Sequence, residues 1–410
     1  MTVDRLEVVG IPAGGWPELG ESARRLIIEA EVLIGGRRHL DLVADANPEA
    51  ERLTWPSPLK PGLPTLLDQV RDRRTVVLAS GDPLVSGIGS TLIELLGPEA
   101  VRIHPAVSSV ALARARMGWS SESVCVVSLV GRDLARVRRQ LAPGRRLIVL
   151  SAGSKSPAPL AELVTDAGYG PSVFTVLGDL GTDDETSQTL IAAEAAQTLA
   201  EVPALNIVAI ECRLADGARV LAATPGLPDD AFDHDGQLTK RDLRASALSR
   251  LAPVPGELLW DLGAGAGSIA IEWARTDPTC RAIAVERHPE RAARIAANAA
   301  RLGVPGVQVI TADAGENLAE LPEPNAIFVG GGATIELLDR CWERLPVGGR
   351  LVAHAVTVET EQILLQVWQR YGGELVRIGV ERLEPLGALH GWKPARPVVQ
   401  WSVARGGSLL

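Results

Sequence analysis

The stretch LLWDLGAGAGSIAIEWA, residues 258–274, constrains the fold more than any other part of the chain. An apolar strand ends at Asp261, turns through Gly263, Gly265 and Gly267, and continues as an apolar helix. Glycines have no Cβ, so the backbone can turn tightly and bring its N–H groups close to a ligand. The helix N-terminus adds positive partial charge at the same place. The next strand, RAIAVE, ends in Glu286, where a carboxylate can accept hydrogen bonds from two vicinal ribose hydroxyls. The strand after that, VQVITADAGENL, places Asp313 and Ala314 where an adenine would lie.

Apolar runs of strand length alternate with amphipathic helical runs over most of the chain, which predicts α/β architecture. In the first half the strands are expected near 6–10, 31–35, 75–79, 101–103, 124–129, 146–150, 173–177 and 205–211. Helices are expected in PELGESARRLIIEA and PAPLAELVTDAG, among others. The pattern then breaks into a stretch rich in Gly, Pro and Asp, and helix signals return at Lys240 to Leu251. This divides the chain into residues 1–212, a linker at 213–225, and residues 226–410. In the second half, strands 257–261, 281–285, 307–310, 325–329 and 349–355 interleave with helices 268–275, 289–302, 333–344 and 359–371. A final strand pair near 375–382 and 397–404 closes an open, doubly wound sheet with an antiparallel edge.

Asp261, the turn from Gly263 through Ala264, Gly265 and Ala266 to Gly267, Glu286, and Asp313 with Ala314 together resemble the class I S-adenosylmethionine-dependent methyltransferases, which have a Rossmann-like fold. The G-x-G-x-G spacing differs from the dinucleotide-binding G-x-G-x-x-G.

The first half has a different turn. In EVVGIPAGGWPELG the glycines stand at 10, 14 and 15, and the following strand ends in GGRR without an acid for a ribose. Farther on come Ser80-Gly81-Asp82-Pro83, then PAVSS with Ser108 and Ser109 placed to cap a helix, then VGRD ending in Arg132-Asp133. This ordered set resembles the tetrapyrrole methylases, which have the class III methyltransferase fold. Ala106 stands where that family has a glycine and Val130 where it has a histidine. The resemblance implies that Ser80 to Pro83, Ser108 and Ser109 contact the methyl donor. It also implies that Gly10, Gly14, Gly15 and Arg132 face the macrocyclic substrate.

The segment TPGLPDDAFDHDGQLTKRDLRASALSRLAP, residues 224–253, is similar to the one preceding the cofactor strand in the decarboxylating precorrin methyltransferases. The whole chain therefore resembles the fused two-domain members of that family in cobalamin biosynthesis. The resemblance implies that residues 1–212 methylate carbon 5 of precorrin-6Y. Residues 226–410 would then methylate carbon 15 and remove CO2 from the acetate on carbon 12, giving precorrin-8X. Two S-adenosylmethionine molecules would be consumed per cycle. Thr239 falls where the family contacts the cofactor, and His234, Asp235 and Lys240 are candidates for the chemistry. An N-cap role for Asp235 stands beside the proton-transfer one. Gly330, Gly331 and Gly332 end the fourth strand of the second half and are read as substrate-side backbone, or as a packing turn. Arg37, Arg38, Arg132, Lys240, Arg241 and Arg244 are candidate ligands for substrate carboxylates, since the guanidinium fork matches them.

Composition narrows the classes further. The net charge of −9 disfavours a nucleic-acid binder, which relies on a basic surface. The six histidines show no ligand-like spacing and no metal is expected. Four scattered cysteines fit a reduced, cytoplasmic protein. The N-terminus shows no secretory signal, and no segment has the apolar length of a membrane helix. By analogy with single-domain relatives, a homo-oligomer is expected. Two rival readings remain at this level: an RNA or protein methyltransferase with an accessory domain, and a chain in which one half binds cofactor without catalysing.

Overall fold

The computed structural model describes residues 5–199, 202–316 and 318–407. Its contacts divide the chain between Arg219 and Val220. The stretch Ala135–Gln140 groups with the second unit.

The first unit has two five-stranded sheets. Strands β1 (Leu6–Ile11), β2 (Val32–Gly35), β3 (Glu51–Thr54), β4 (Thr75–Ser80) and β5 (Val101–His104) form a parallel sheet in the order β3-β2-β4-β1-β5. Its central strand β4 is buried from Thr75 to Ala79, as expected of a parallel strand covered on both faces. The second sheet runs β6 (Val124–Ser128), β7 (Arg146–Leu150), β10 (Asn206–Glu211), β8 (Val173–Gly178) and β9 (Thr186–Ile191), with only β6 and β7 parallel. β3 and β9 have no counterpart in the sequence reading. Both are edge strands with mostly polar, half-exposed side chains, so hydrophobic patterning misses them.

The second unit is built on a seven-stranded sheet. β11 (Leu258–Leu262), β12 (Arg281–Glu286), β13 (Gln308–Thr311), β14 (Ala326–Val329) and β15 (Arg350–Ala355) are parallel. β16 (Glu374–Ile378) and β19 (Val398–Ala404) complete it in the order β13-β12-β11-β14-β15-β19-β16, with β19 antiparallel to both neighbours. Strand order reverses between β11 and β14, the point at which open α/β sheets bind ligands beyond their carboxyl ends. One face of the sheet is covered by a core around Trp273, Ile269 and Ile295, the other by one around Trp260, Trp401 and Leu351.

The expected strand at 375–382 is not continuous. It stops at Ile378, and β17 (Glu381–Leu386) pairs instead with β18 (Leu389–Pro394) in a separate two-stranded hairpin. Gly379 supplies no side chain to pack between the two pieces.

Among the described residues, no helix is long and apolar enough to cross a membrane. No group of three or more His, Cys, Asp or Glu among them is arranged to hold a metal ion.

Candidate active sites

Each unit has its own cavity. That of the second unit, about 900 Å³, opens at the carboxyl ends of the parallel strands. The glycine turn beside it is tight for three different reasons. Gly263, Gly265 and Gly267 all have positive φ, which L side chains rarely adopt. A Cβ on Gly263 would lie 2.7 Å from the Gly331 carbonyl, and one on Gly265 would lie 2.7 Å from the Gln237 carbonyl. A Cβ on Gly267 would lie 2.5 Å from Cγ2 of Ile295, in helix Pro289–Arg301. The turn is thus packed against the β14 end, the segment above it, and the helix beside it.

Glu286 sits at the end of β12 and is buried. Its carboxylate accepts the Gly265 N–H at 2.9 Å and the His288 N–H at 3.0 Å. Asp261 lies beneath the turn, where its Oδ2 accepts the Ala270 N–H at 3.0 Å. Burial pushes its pKa up to about 7, with the nearby Glu286 adding to the rise.

The segment over the turn is fixed by two buried polar residues that sequence reasoning did not identify in this role. Arg244, wholly buried, pairs with Glu272 at 2.6 Å and Asp229 at 3.3 Å. It also donates to the carbonyls of Thr239 and Leu227 and stacks over the Phe232 ring. Glu272 in turn accepts the N–H groups of Gly226 and Leu227. Asn298, also buried, donates to the carbonyls of Asp233 and Ala266 and accepts the Asp233 N–H. Arg244 is therefore a bolt within the fold, and the expectation that it meets a substrate carboxylate is corrected: its guanidinium is already engaged inside the protein. Periodicity marks neither role, because Glu272 lies 28 residues from Arg244 and Asp233 lies 65 residues from Asn298.

The structure brings together on this cavity wall Thr239, Lys240, Gly263, Ala264, Gly265, Glu286, Asp313, Ala314, Gly330, Gly331 and Gly332. Ala266 and Gly267 are not on the wall; Ala266 is buried, its N–H donating to the Gln237 carbonyl at 3.1 Å. His234 and Asp235 are also off it. The His234 ring accepts the Gly236 N–H at 3.0 Å. The Asp235 carboxylate is held by Arg291 at 2.7 Å and caps the Gln237 N–H. The Arg291 hydrogen bond, with that N–H, pulls its pKa down to about 2. Lys240 occupies the N-cap of helix Arg241–Leu251, and its ammonium lies 3.8 Å from Asp229.

The cavity of the first unit, about 490 Å³, lies between its two sheets. Three loops interlock beside it, backbone on backbone. A Cβ on Gly10 would lie 1.8 Å from the Gly81 carbonyl. The Gly81 N–H donates to the Ile11 carbonyl at 2.9 Å, and the Ala106 N–H donates to the Gly81 carbonyl at 3.0 Å. Ala106 thus makes through its main chain a contact for which no glycine is required. Ser80, Gly81, Asp82, Ser108 and Ser109 line the cavity, and Ser108 Oγ caps helix Ser109–Met117 by accepting the Ala111 N–H.

Gly10, Gly14, Gly15, Pro83 and Arg132 are not on this wall; Ile11 and Ala13 carry the first loop's contribution. The Gly14 N–H is spent on the Glu18 carboxylate at 3.2 Å, and that of Gly15 on the Pro12 carbonyl at 3.1 Å. Pro83 gives its carbonyl to the Gly89 N–H, and the Arg132 side chain is exposed. The opposite wall includes Asp179, Leu180, Thr182 and Asn206 of the second sheet layer, none of them singled out by the sequence. His39, also on the wall, is pushed down to about 4 by burial and by neighbouring Arg38, so it is neutral near pH 7.

Comparison with known proteins agrees with both halves. The family described as Tetrapyrrole (Corrin/Porphyrin) Methylases matches residues 5–196, and that described as Precorrin methyltransferase domain matches residues 230–405. A Sinorhizobium protein named precorrin-6Y C(5,15)-methyltransferase (decarboxylating) is 46% identical over 402 residues, 98% of this chain and 96% of its own. A Mycobacterium tuberculosis (strain ATCC 25618 / H37Rv) protein of the same name is 44% identical, covering 97% of this chain and 99% of its own. The solved C-terminal domain of precorrin-6Y C5,15-methyltransferase from Rhodobacter capsulatus is 45% identical, with a TM-score of 0.43, covering 45% of this chain and all of that one. The chain belongs to the precorrin-6Y C(5,15)-methyltransferase (decarboxylating) family.

Proposed function

We propose that the two cavities are two methyl-transfer sites working on one kind of macrocycle. As a member of its family the chain is an S-adenosylmethionine-dependent C-methyltransferase of cobalamin biosynthesis. Its first unit methylates carbon 5 of precorrin-6Y; its second methylates carbon 15 and removes CO2 from the carbon-12 acetate, yielding precorrin-8X. One methyl donor is used in each unit, two per cycle, with no metal, in the cytoplasm. The observation that carries this reading is the presence in each unit of a separate cavity beside a glycine-bearing loop at strand carboxyl ends, with the two loops differently built.

The residues of the second unit fit S-adenosylmethionine. Gly263 and Gly265, both at positive φ, bring bare backbone to the cavity wall, and the Glu286 carboxylate lies against that turn. Gly263, Gly265, Glu286, Asp313, Ala314 and Thr239 would hold it there. Ser80, Gly81, Asp82, Ser108 and Ser109 would hold it in the first unit. When bound, it supplies a methyl group on a positively charged sulfur, already electrophilic without a protein nucleophile. The chain's task is alignment, worth several orders of magnitude in rate when reacting atoms are held in line. Ile378, Val380 and Val398 give the second cavity an apolar wall. Arg340, Arg382 and Arg396 stand on the same wall, and only Arg382 has an ion-pair partner, Asp242, among the described residues. Arg241 is not on that wall and Arg244 is engaged inside the protein, so these arginines replace them as the groups that meet the substrate's carboxylates. Asp235 holds the segment over the turn and moves no proton near pH 7, where it stays ionised.

A homo-oligomer is part of the same reading. In the β17–β18 hairpin, Leu383 stands opposite Trp392 and Leu386 opposite Leu389, and all four are more than half exposed. A lone two-stranded ribbon with apolar side chains is marginal in water, and a second copy of this chain would cover it. Sedimentation of Leu386→Glu/Trp392→Glu should give a smaller species than the parent chain; an unchanged assembly would place the interface elsewhere.

The whole assignment is tested by mass spectrometry of the product formed from precorrin-6Y and labelled S-adenosylmethionine. Two added methyl groups and one lost CO2 are expected; recovery of unmodified precorrin would refute the assignment.

A further inference from the structure

Two strands of the large sheet bring together a polar pair to which the reading above gives no part. His354 on β15 and Gln400 on β19 stand opposite each other in antiparallel register. Imidazole Nε2 lies 2.9 Å from Gln400 Oε1. Gln400 is fully buried, whereas His354, 6% exposed, is on the wall of the second unit's cavity. The imidazole meets the Phe328 ring edge-on, with centroids 5.0 Å apart. Placing two polar side chains in a sheet of Leu, Val and Trp costs stability, and Gln400 Nε2 has no partner among the described residues. An apolar pair would pack there without that cost, so holding the sheet together does not account for these residues.

With Nε2 engaged by Gln400, Nδ1 is the polar atom the ring has left. Burial keeps the imidazole neutral, pushing its pKa down to about 4 against the Gln400 hydrogen bond, which raises it. The charged groups that share the cavity wall with it include Glu286, Asp313, Glu336, Arg340, Arg382 and Arg396.

We propose that His354 is the proton-accepting residue of the second unit's site and that Gln400 is the positioning residue that fixes its tautomer. This rests on the methylating and decarboxylating reading given above. A ring carbon that gains a methyl group uses a π electron pair for the new C–C bond, while sulfur keeps the pair of the bond it loses. The ring is left with one positive charge. A ring proton then passes to His354 Nδ1, and its bonding pair returns to the π system. When the C–CO2 bond breaks, its electron pair stays on the acetate carbon, and the imidazolium returns the proton there to complete a methyl group. One proton leaves and one arrives, so the imidazole is neutral at both ends of the cycle.

The test uses the full chain. His354→Asn should slow formation of the decarboxylated product on the order of 10²- to 10⁴-fold, the usual worth of a positioned proton-transfer group. Calorimetric affinity for S-adenosylhomocysteine should stay as in the parent chain. Gln400→Glu places a carboxylate on Nε2 and should raise the imidazole pKa by about one unit or more, read from the ring resonances by NMR. The neutral ring is the active form, so activity falls as pH drops through its pKa. The acid limb of the rate profile should therefore move up by the same amount in Gln400→Glu. Should His354→Asn not fold, His354→Gln and the Gln400→Glu profile carry the test. Decarboxylation at the parent rate in a His354 variant, or an NMR shift without a shift in the acid limb, would overturn the inference. A parent chain that releases no CO2 would instead overturn the reading on which it rests.

Discussion

Gly265→Val should cut the number of S-adenosylhomocysteine molecules bound per chain from two to one. The backbone at Gly265 has φ +58, which a β-branched residue adopts only with strain. Its new Cβ would stand 2.7 Å from the Gln237 carbonyl, main chain that cannot swing aside as a side-chain tip would. Either the turn shifts or residues 236–240 lift away from it, and both changes alter the wall that Gly265 and Gln237 share. Displacing a reacting group by about 1 Å costs on the order of 10²-fold in rate, so carbon-15 methylation and CO2 release should fall at least that far. The loops around Gly10, Gly81 and Ala106 have no part in this change, and binding in the first unit should persist. Calorimetric stoichiometry checks the result; two molecules still bound with unchanged affinity would remove the turn from the site.

The second large effect is on stability. Arg244→Met takes from the buried Glu272 its ion-pair partner, although the Gly226 and Leu227 N–H groups still reach it and Arg275 stays within electrostatic range. Removing one partner of a buried ion pair typically costs about 3–5 kcal/mol. Three carboxylate or carbonyl groups besides Glu272 also lose their donor, those of Asp229, Thr239 and Leu227. A urea titration followed by tryptophan fluorescence should show the loss in the transition of the second unit, which holds Trp260, Trp273 and Trp401. Arg244→Met/Glu272→Leu should recover part of it, because the unpaired charge is gone. A change below about 1 kcal/mol in the single variant would mean that the charge is relieved by water. Because Thr239 lines the cavity and its carbonyl is held by Arg244, affinity for the methyl donor should fall along with stability.

What the sequence makes legible is local or strongly patterned. The turn from Gly263 to Gly267, Glu286 at the end of β12 and Ser108 at a helix start depend on neighbours within a few residues or on a strand's apolar run. β4, β11 and β14 are dominated by buried apolar residues, and they are read almost to the residue. Edge strands β3 and β9 pack on fewer neighbours, need no apolar alternation, and are missed. The hairpin β17–β18 escapes for a related reason, since neither strand carries the buried face that patterning detects.

Within the sites, long-range pairing is the limit. Arg244 has the composition of a substrate ligand and the position of a structural bolt, a difference fixed by Glu272, 28 residues away. His354 and Gln400 meet across 46 residues through antiparallel register, and the chain between them includes a helix and the hairpin. The substrate-facing role expected of Gly14 and Gly15 rests on resemblance; in the fold their N–H groups already have partners within the chain.

The central claim is that each unit holds its own methyl donor. Calorimetric titration of the full chain with S-adenosylhomocysteine, repeated with Gly265→Val, measures this directly. Two sites in the parent and one in the variant are predicted. A parent chain that saturates with one molecule would contradict the claim.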